Sequence, residues 1–169
     1  APVFLCRACV PLMQETGGSI INISGGGATG PRPHFSAYAT AKSGLVRFSE
    51  TLASEVNRFG IRVNCIAPGP MKTALLSEVV EQGKNASGQK EFDLAEEVLK
   101  KGGTDMNRVA DLVFFLISEH GSKVTGKLIS AVWDDWKMWP QHLDELNFSD
   151  VYTLRRITGR DRGFDWGDK

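Results

Sequence analysis

Two side chains that could move a proton, Tyr38 and Lys42, lie four positions apart in this sequence. On a helix, that spacing places both on one face, one turn apart. A phenol titrates near ~10, which is too high for a base at neutral pH, but a neighbouring ammonium favours the phenolate. Tyr38 could then exchange a proton with a substrate oxygen while Lys42 supports its charged form. Alone, this motif is more often an ordinary turn of a solvated helix, so its surroundings decide the interpretation.

The sequence around this pair predicts a strand, a glycine-rich loop, a helix and a second strand. Residues 19–24 predict the first strand, and residues 25–30 form the loop. The helix is predicted up to residue 59, because apolar residues recur at helical spacing and Gly60 stops it. Residues 61–67 alternate and are rich in β-branched side chains, which is typical of a strand.

The second strand runs into residues 68–73, which read PGPMKT. The order of strand, loop, YxxxK helix, strand and PGxxxT resembles the short-chain dehydrogenase/reductase family, from about residue 3 to Ile129. The resemblance implies an α/β fold, a Rossmann-like doubly wound parallel sheet of which this sequence carries the last three strands with their helices. It also implies an NAD(P)-dependent oxidoreductase, which passes hydride between NAD or NADP and a hydroxyl or carbonyl group of a small-molecule substrate.

The resemblance also implies roles for particular residues. Tyr38 would be the catalytic acid/base, and Lys42 would favour its ionised form and bind the nicotinamide ribose hydroxyls. Residues 74–103 would form two short helices that act as a lid over the substrate. Backbone groups and one hydroxyl after the second strand would hold the nicotinamide: Pro68, Gly69, Met71 and Thr73.

The serine that the family uses to hydrogen-bond the substrate oxygen is displaced in this sequence. The family places it thirteen residues before the tyrosine, where this chain has Gly25, and Ser24 comes one position early. A shift of one residue on a strand sends a side chain to the opposite face. Ser24 can therefore act as a catalytic residue only if a bulge or a distorted loop turns it back.

The glycine-rich loop fits GxGxxG, but it is not expected to bind a pyrophosphate. That fingerprint requires the loop to open a helix, whose N-terminus meets the phosphates. Here Pro31 and Pro33 follow the loop, and Pro33 disfavours a helical conformation at Arg32. In the resembled family this loop lines the nicotinamide and substrate pocket.

The resemblance covers residues 1–130 as the C-terminal part of a Rossmann-fold domain and leaves residues 131–169 as an extension. The family's opening strand, glycine turn and helix, which bind the pyrophosphate and adenosine, are not in this sequence. The family's catalytic asparagine would precede Ala1. The sequence therefore predicts a truncated portion of such an enzyme, and cofactor binding by this chain alone is doubtful.

The sequence also contains a pair of closely spaced cysteines and a group of three tryptophans. Cys6 and Cys9 spell CxxC, but they lie in an apolar predicted helix and are expected to be buried thiols. Trp133, Trp136 and Trp139 could line a pocket, pack on a neighbouring subunit, or cover an edge of the core.

Composition excludes several partners. Lys+Arg and Asp+Glu are both 20, with no basic run, so nucleic acid and anionic membrane are poor candidates. No apolar stretch approaches the ~20 residues of a membrane span. Three cysteines cannot all pair, which favours reduced thiols and a cytoplasmic location.

The sequence also predicts a homodimer or homotetramer. The predicted helix over residues 3–14 is apolar on nearly all sides, and the YxxxK helix has a second stripe of mostly small residues. In the resembled family these two helices pair with their copies across a two-fold axis. Alternatively, the polar members of the stripe make it an ordinary solvated face. The stripe consists of Ala39, Ser43, Val46, Glu50, Ala53 and Asn57.

Three functions remain open from the sequence. The first is the oxidoreductase described above. The second is a non-catalytic remnant that oligomerises or binds a partner, which the displaced serine and the absent cofactor-binding half favour. The third is a nucleotide-sugar epimerase or dehydratase, since such relatives also use YxxxK, although PGxxxT argues against it.

Overall fold

A three-stranded parallel sheet forms the centre of the computed structural model, which describes residues 1–166. The strands are β1 (Gly18–Ile23), β2 (Ile61–Ala67) and β3 (Leu128–Ser130), and they lie side by side in that order. The central strand β2 pairs with β1 along most of its length and with β3 at its C-terminal end. The predicted partial α/β sheet is therefore confirmed.

Helices cover the sheet and connect its strands. The α-helices are α1 (Pro2–Met13), α2 (Ser36–Val56), α3 (Ala74–Ser87), α4 (Gln89–Lys101), α5 (Met106–Ile117) and α6 (Leu143–Asn147). Short 3₁₀ turns occupy Asn57–Phe59, Glu119–Gly121, Trp136–Gln141 and Arg160–Arg162. Within the described residues, no helix is both long and apolar enough to cross a membrane.

Local sequence signals explain where several of these elements begin and end. Asp105 caps α5, because its side chain accepts a hydrogen bond from the amide of Asn107 at 2.9 Å. Gly60 ends the 3₁₀ turn that follows α2 with a φ of 67°, a conformation that glycine adopts freely. Gly83 has a φ of 77° and kinks α3, where the sequence predicts a break, but helix resumes up to Ser87.

The two faces of the sheet are buried against different helices. Ile61 and Val63 of β2 pack with α2 residues on one face, whereas Ile66 packs with Leu112 and Leu116 of α5 on the other. This follows from the alternation of side chains along a strand. Each fully buried aliphatic side chain contributes about 1.5–3 kcal/mol, so the central strand is the main stabilising element.

The tryptophans of the extension divide between core and surface. Trp136 and Trp139 belong to the same buried cluster as Ile66, and Trp136 also contacts Phe115 with ring centroids 5.4 Å apart. Trp133 is 75% exposed. The interpretation in which these residues cover an edge of the core therefore holds for two of the three.

The structure corrects the predicted faces of α2. Val46 and Ala53, which the sequence analysis assigns to a stripe for a neighbouring subunit, are buried inside the chain itself. The reason is that α2 contacts the sheet on one side and a later segment, residues 148–154, on another. The amide of Leu154 donates to Oε1 of Glu50 at 2.6 Å, so Glu50 is also used within the chain.

The 148–154 segment is fixed to the sheet as well as to α2. The amide of Leu128 in β3 donates to the carbonyl of Tyr152 at 2.8 Å. The buried ammonium of Lys127 donates to the carbonyls of Ser149 and Val151 at 3.2 and 3.0 Å. Burial lowers the pKa of Lys127 below its ordinary value.

Helix α1 contacts the rest of the chain along only one narrow face. Cys6 is buried there, but Cys9 is exposed, so the prediction of two buried thiols is wrong for Cys9. Burial raises the pKa of the Cys6 thiol, and the nearby Cys9 adds to that effect. The opposite face of α1 leaves large apolar side chains exposed: Val3, Phe4, Leu5 and Leu12.

Candidate active site

The predicted site residues converge where the parallel strands end. In open α/β sheets, ligands bind beyond the carboxyl ends of the strands. Ser24 and the glycine loop follow β1, residues 68–73 follow β2, and the first two turns of α2 carry Tyr38 and Lys42.

Tyr38 and Lys42 lie on one face of α2, as the spacing predicts. The Lys42 ammonium is 5.7 Å from the centroid of the Tyr38 ring. It donates a hydrogen bond to the carbonyl of Ile23 at 2.9 Å, which fixes the lysine to the end of β1. An ammonium has three donors, so this bond leaves two N–H groups that could donate hydrogen bonds to ribose hydroxyls.

The structure encloses Ser24 instead of presenting it to a substrate. Its amide donates to the carbonyl of Ile66 at 2.8 Å, so the regular ladder between β1 and β2 continues through it. The side chain is buried, and its Oγ has no hydrogen-bond partner among the described residues. Without a bulge to turn it, Ser24 does not offer its hydroxyl to a ligand in this conformation.

Gly25 is the position of the family serine, and the Tyr38 hydroxyl occupies the space beside it. A Cβ added to Gly25 would overlap Tyr38 Oη and lie 3.4 Å from Cζ of the same ring. By contrast, nothing lies within 4 Å of a Cβ added to the neighbouring Gly26. A serine side chain at position 25 and the present position of Tyr38 therefore exclude each other.

The segment after β2 packs closely against residues that follow it in the chain. Gly69 has a φ of 84°, and a Cβ there would overlap Oγ1 of Thr104 and lie 2.7 Å from Val132. The carbonyl of Pro70 accepts a hydrogen bond from the amide of Thr104 at 2.7 Å, which holds the loop in place. Only glycine allows so close an approach of backbone at this position.

The other predicted cofactor contacts of this segment differ in exposure. Pro68 is buried and Met71 is half-buried, whereas Thr73 is exposed. Thr73 is the N-cap of α3, and its side chain makes no capping hydrogen bond. Its hydroxyl is thus placed at a helix N-terminus, where a polar ligand group would be favoured.

Arg32 belongs to this site, although the sequence analysis gives it no role. Its Nε donates to Oε1 of Glu91 at 2.9 Å and its Nη2 donates to Oε2 at 2.7 Å, in a two-pronged pair. The guanidinium carbon lies 4.3 Å from the Phe35 ring centroid and 5.1 Å from that of Tyr38. The hydrogen bonds that Arg32 donates to Glu91 raise the pKa of Arg32 more than burial lowers it.

The sequence held only a weak signal for Arg32. Its partner Glu91 is 59 residues away, on α4. The sequence shows a positive charge between two prolines, six residues before Tyr38, but no local pattern predicts which carboxylate pairs with it. Within residues 1–166, no group of three or more His, Cys, Asp or Glu side chains could hold a metal ion.

Comparison with known proteins assigns the chain to a family. The family model described as "Enoyl-(Acyl carrier protein) reductase" matches residues 1–131. Human dehydrogenase/reductase SDR family member 4 is 35% identical over 130 residues, covering 76% of this chain and 45% of the relative. The 3-oxoacyl-[acyl-carrier-protein] reductase FabG of Chlamydia trachomatis is 35% identical over 134 residues, covering 75% of this chain and 49% of the relative.

Solved structures have the same arrangement of elements. An enoyl-(acyl-carrier-protein) reductase from Anaplasma phagocytophilum, in complex with NAD, matches with a TM-score of 0.60 and 26% identity. It covers 77% of this chain and 47% of that one. Sorbitol-6-phosphate 2-dehydrogenase from Erwinia amylovora matches with a TM-score of 0.62 and 26% identity, covering 75% and 53% of the two chains.

The fold thus places the chain among the Rossmann-fold proteins. More narrowly, the chain belongs to the short-chain dehydrogenase/reductase family. It spans about half the length of the curated relatives that it matches.

Proposed function

We propose that this chain carries the catalytic part of an NAD(P)-dependent oxidoreductase acting on a hydroxyl or carbonyl group of a small molecule. The observation that carries this proposal is the Tyr38–Lys42 pair, with Lys42 fixed to the end of β1 and two of its donors unused by that bond. The family membership and the relative solved with NAD support it.

The residues after β2 fit the nicotinamide end of such a cofactor. Gly69 brings backbone to the site, and the exposed hydroxyl of Thr73 is free of any capping bond. Pro68 and Met71 would add backbone contacts, and Lys42 would donate to the ribose hydroxyls. When bound, NAD or NADP would supply or accept the hydride.

The remaining chemistry is a proton transfer by residues of this chain. In the direction of reduction, Tyr38 Oη gives its proton to the substrate oxygen as the carbonyl carbon gains hydride. In the direction of oxidation, the same oxygen takes the proton from the substrate hydroxyl. Lys42 lies one turn away on the same face of α2 and is held at the end of β1, where it can donate to the bound reactants.

A complete protein that also contains the cofactor-binding half provides the test of this chemistry. Tyr38→Phe should lower kcat by about 10²–10⁴, the usual contribution of general acid/base catalysis. Lys42→Ala should lower it comparably, because the ammonium would no longer donate to the ribose hydroxyls. A near-normal rate for Tyr38→Phe would end the assignment.

For the chain alone, we propose that cofactor binding is weak. The strand, glycine turn and helix that the family uses for pyrophosphate and adenosine lie outside this sequence. Calorimetry with NAD(H) and NADP(H) should then show no binding tighter than about millimolar, or about −4 kcal/mol. Micromolar binding would contradict this proposal and would mean that the site is completed in another way.

A second candidate function is a non-catalytic module that oligomerises or binds a partner. The enclosed Ser24 and the missing side chain at Gly25 favour it, because neither position offers the hydroxyl that the family uses. The same kinetic experiment separates the two candidates. If the complete protein has no turnover that depends on Tyr38, the non-catalytic candidate is preferred.

We also propose that the chain assembles as a homodimer or homotetramer in the cytoplasm. The exposed face of α1 supports assembly, because Phe4 and Leu12 are 74% and 82% exposed. The free thiols of the three cysteines support a reducing compartment. Ala53, a member of the α2 stripe, does not contribute to an assembly surface, because it is buried within the chain.

Light scattering after size exclusion tests the assembly. It should give at least twice the 18.5 kDa mass of the chain. Leu12→Asp should reduce the mass, whereas Phe148→Asp, a change at a side chain that is 89% exposed elsewhere, should leave it unchanged. A monomer at micromolar concentrations would contradict the proposal.

A further inference from the structure

The acid/base of the proposed reaction lacks the hydroxyl partner that its family provides. Gly25 has no side chain, and a Cβ there would overlap the Tyr38 hydroxyl. Ser24 is buried, with its Oγ enclosed by protein atoms. Neither position therefore offers a hydroxyl beside the Tyr38 side chain.

Two cationic side chains lie near the Tyr38 ring, and Arg32 is nearer to its centroid than Lys42. Its guanidinium lies between the rings of Phe35 and Tyr38, at 4.3 and 5.1 Å from their centroids. A cation over the face of an aromatic ring is attracted by the negative charge of that face, and the planar group also stacks on it. This contact restricts the rotation of the Tyr38 ring and keeps a positive charge beside the phenol.

Glu91 in turn holds Arg32. The two-pronged pair fixes both the position and the plane of the guanidinium. Both side chains are only 15% exposed, so the pair is shielded from water and keeps its geometry better than a surface ion pair. Because Glu91 lies on α4, the contact also ties the Tyr38 ring to the α3–α4 hairpin.

We propose that Arg32 is a positioning residue for Tyr38, which fixes the plane of the tyrosine ring and depends on Glu91 for its own orientation. This inference rests on the proposed role of Tyr38 as the acid/base. It assigns the α3–α4 hairpin a function in assembling the site, in addition to that of covering a substrate. A displacement of α4 would release Arg32 and, with it, the ring.

The test uses the small number of tyrosines in the chain, which are Tyr38 and Tyr152. Ring-labelled tyrosine gives two sets of NMR signals, and Tyr38→Phe assigns them. Arg32→Gln and Glu91→Gln should both shift the Tyr38 signals and speed the flipping of its ring. Arg32→Lys, which keeps the charge but lacks the planar fork, should restore them only in part.

A matched control is available at Arg155, another arginine with a two-pronged carboxylate partner. Arg155 donates to both carboxylate oxygens of Asp161, in a region that does not include Tyr38. Arg155→Gln should leave the Tyr38 signals unchanged. Circular dichroism of each variant establishes that the fold is retained, and if Arg32→Gln fails to fold, Glu91→Gln and Arg32→Lys decide the question.

Kinetics on the complete protein separate this inference from the proposed function. Arg32→Gln should lower kcat about tenfold or more with little change in the KM for the cofactor, because the ring is displaced while the cofactor contacts remain. If Tyr38→Phe is inactive but Arg32→Gln alters neither kcat nor the Tyr38 signals, the inference is wrong and the proposed function stands. If Tyr38→Phe is fully active, the proposed function fails, and the NMR result still decides whether Arg32 positions the ring.

Discussion

Two adjacent glycines should respond in opposite ways to the same small substitution. A Cβ at Gly25 would compete with the Tyr38 hydroxyl for space, whereas a Cβ at Gly26 would meet no atom within 4 Å. Gly25→Ala should therefore displace the Tyr38 ring, and Gly26→Ala should leave it in place. Neither glycine has a positive φ, so backbone strain does not distinguish the two substitutions.

The magnitudes predict a change in the site without a large change in stability. Replacing glycine by alanine at a compatible position stabilises a protein by about 0.4–1 kcal/mol through the unfolded chain. Pushing a ring off its preferred rotamer costs about 0.5–1.5 kcal/mol. For Gly25→Ala these effects nearly cancel, whereas Gly26→Ala keeps only the gain. A displacement of about 1 Å in a reacting group, however, can cost about 10²-fold in rate.

The assay combines urea denaturation, NMR of labelled tyrosine and the kcat of the complete protein. Gly25→Ala should keep its free energy of unfolding within about 1 kcal/mol of the parent, yet shift the Tyr38 signals and lower kcat. Gly25→Ser restores the family residue but carries the same Cβ, so it should do no better. If Gly25→Ser instead raises kcat, the resting position of Tyr38 differs from the one described, and the reasoning fails.

Three further predictions concern stability. Asn64→Leu should cost about 2–6 kcal/mol in urea denaturation, since the buried amide bonds two backbone groups of residues 124–127 and each orphaned group costs about 1–3 kcal/mol. Gly69→Ala should lower the free energy of unfolding by about 2 kcal/mol or more, because Gly69 has a φ of 84° and an added Cβ would overlap Thr104. As a control, Gly30→Ala should change the free energy of unfolding by less than about 0.5 kcal/mol, because no atom lies within 4 Å of an added Cβ there. Burial raises the pKa of the Cys65 thiol above its ordinary 9.0, so the unfolded chain loses this proton at a lower pH than the folded chain does. The urea midpoint of unfolding should therefore fall as the pH rises above about 9. The midpoint of Cys65→Ala should fall less steeply.

The sequence predicts the order of the elements well because each carries a local signal. The strand over residues 61–67 has the predicted bounds, and α2 with its following turn ends at Gly60, as expected. Residues 124–129 predict a turn followed by a strand, and the structure has β3 at Leu128–Ser130; the preceding residues are held by side-chain hydrogen bonds of Asn64, which the sequence does not predict. Such a bond between distant positions has no periodic pattern in the sequence.

The buried faces of α2 and the Arg32–Glu91 pair of the candidate site are harder to predict from the sequence. Periodicity shows that α2 has apolar stripes, but it does not show that the stripe with Val46 packs on Cys65 of β2 and that Leu154 joins this cluster. The Tyr38–Lys42 pair is visible because both residues lie on one helix. The Arg32–Glu91 pair is not, because its partners come from different elements and meet only in the folded chain.

The bond between Glu50 and the 148–154 segment has a consequence for folding kinetics. It joins residues that are 104 positions apart. Closing a loop of that length costs about 4 kcal/mol of chain entropy, more than the net 0.5–1.5 kcal/mol or so of a typical hydrogen bond. We therefore expect this contact to form after the transition state, once the sheet already holds both ends close together. Substitutions in the 148–154 segment should then leave the refolding rate nearly unchanged and accelerate unfolding, so that this segment sets how long the native state lasts.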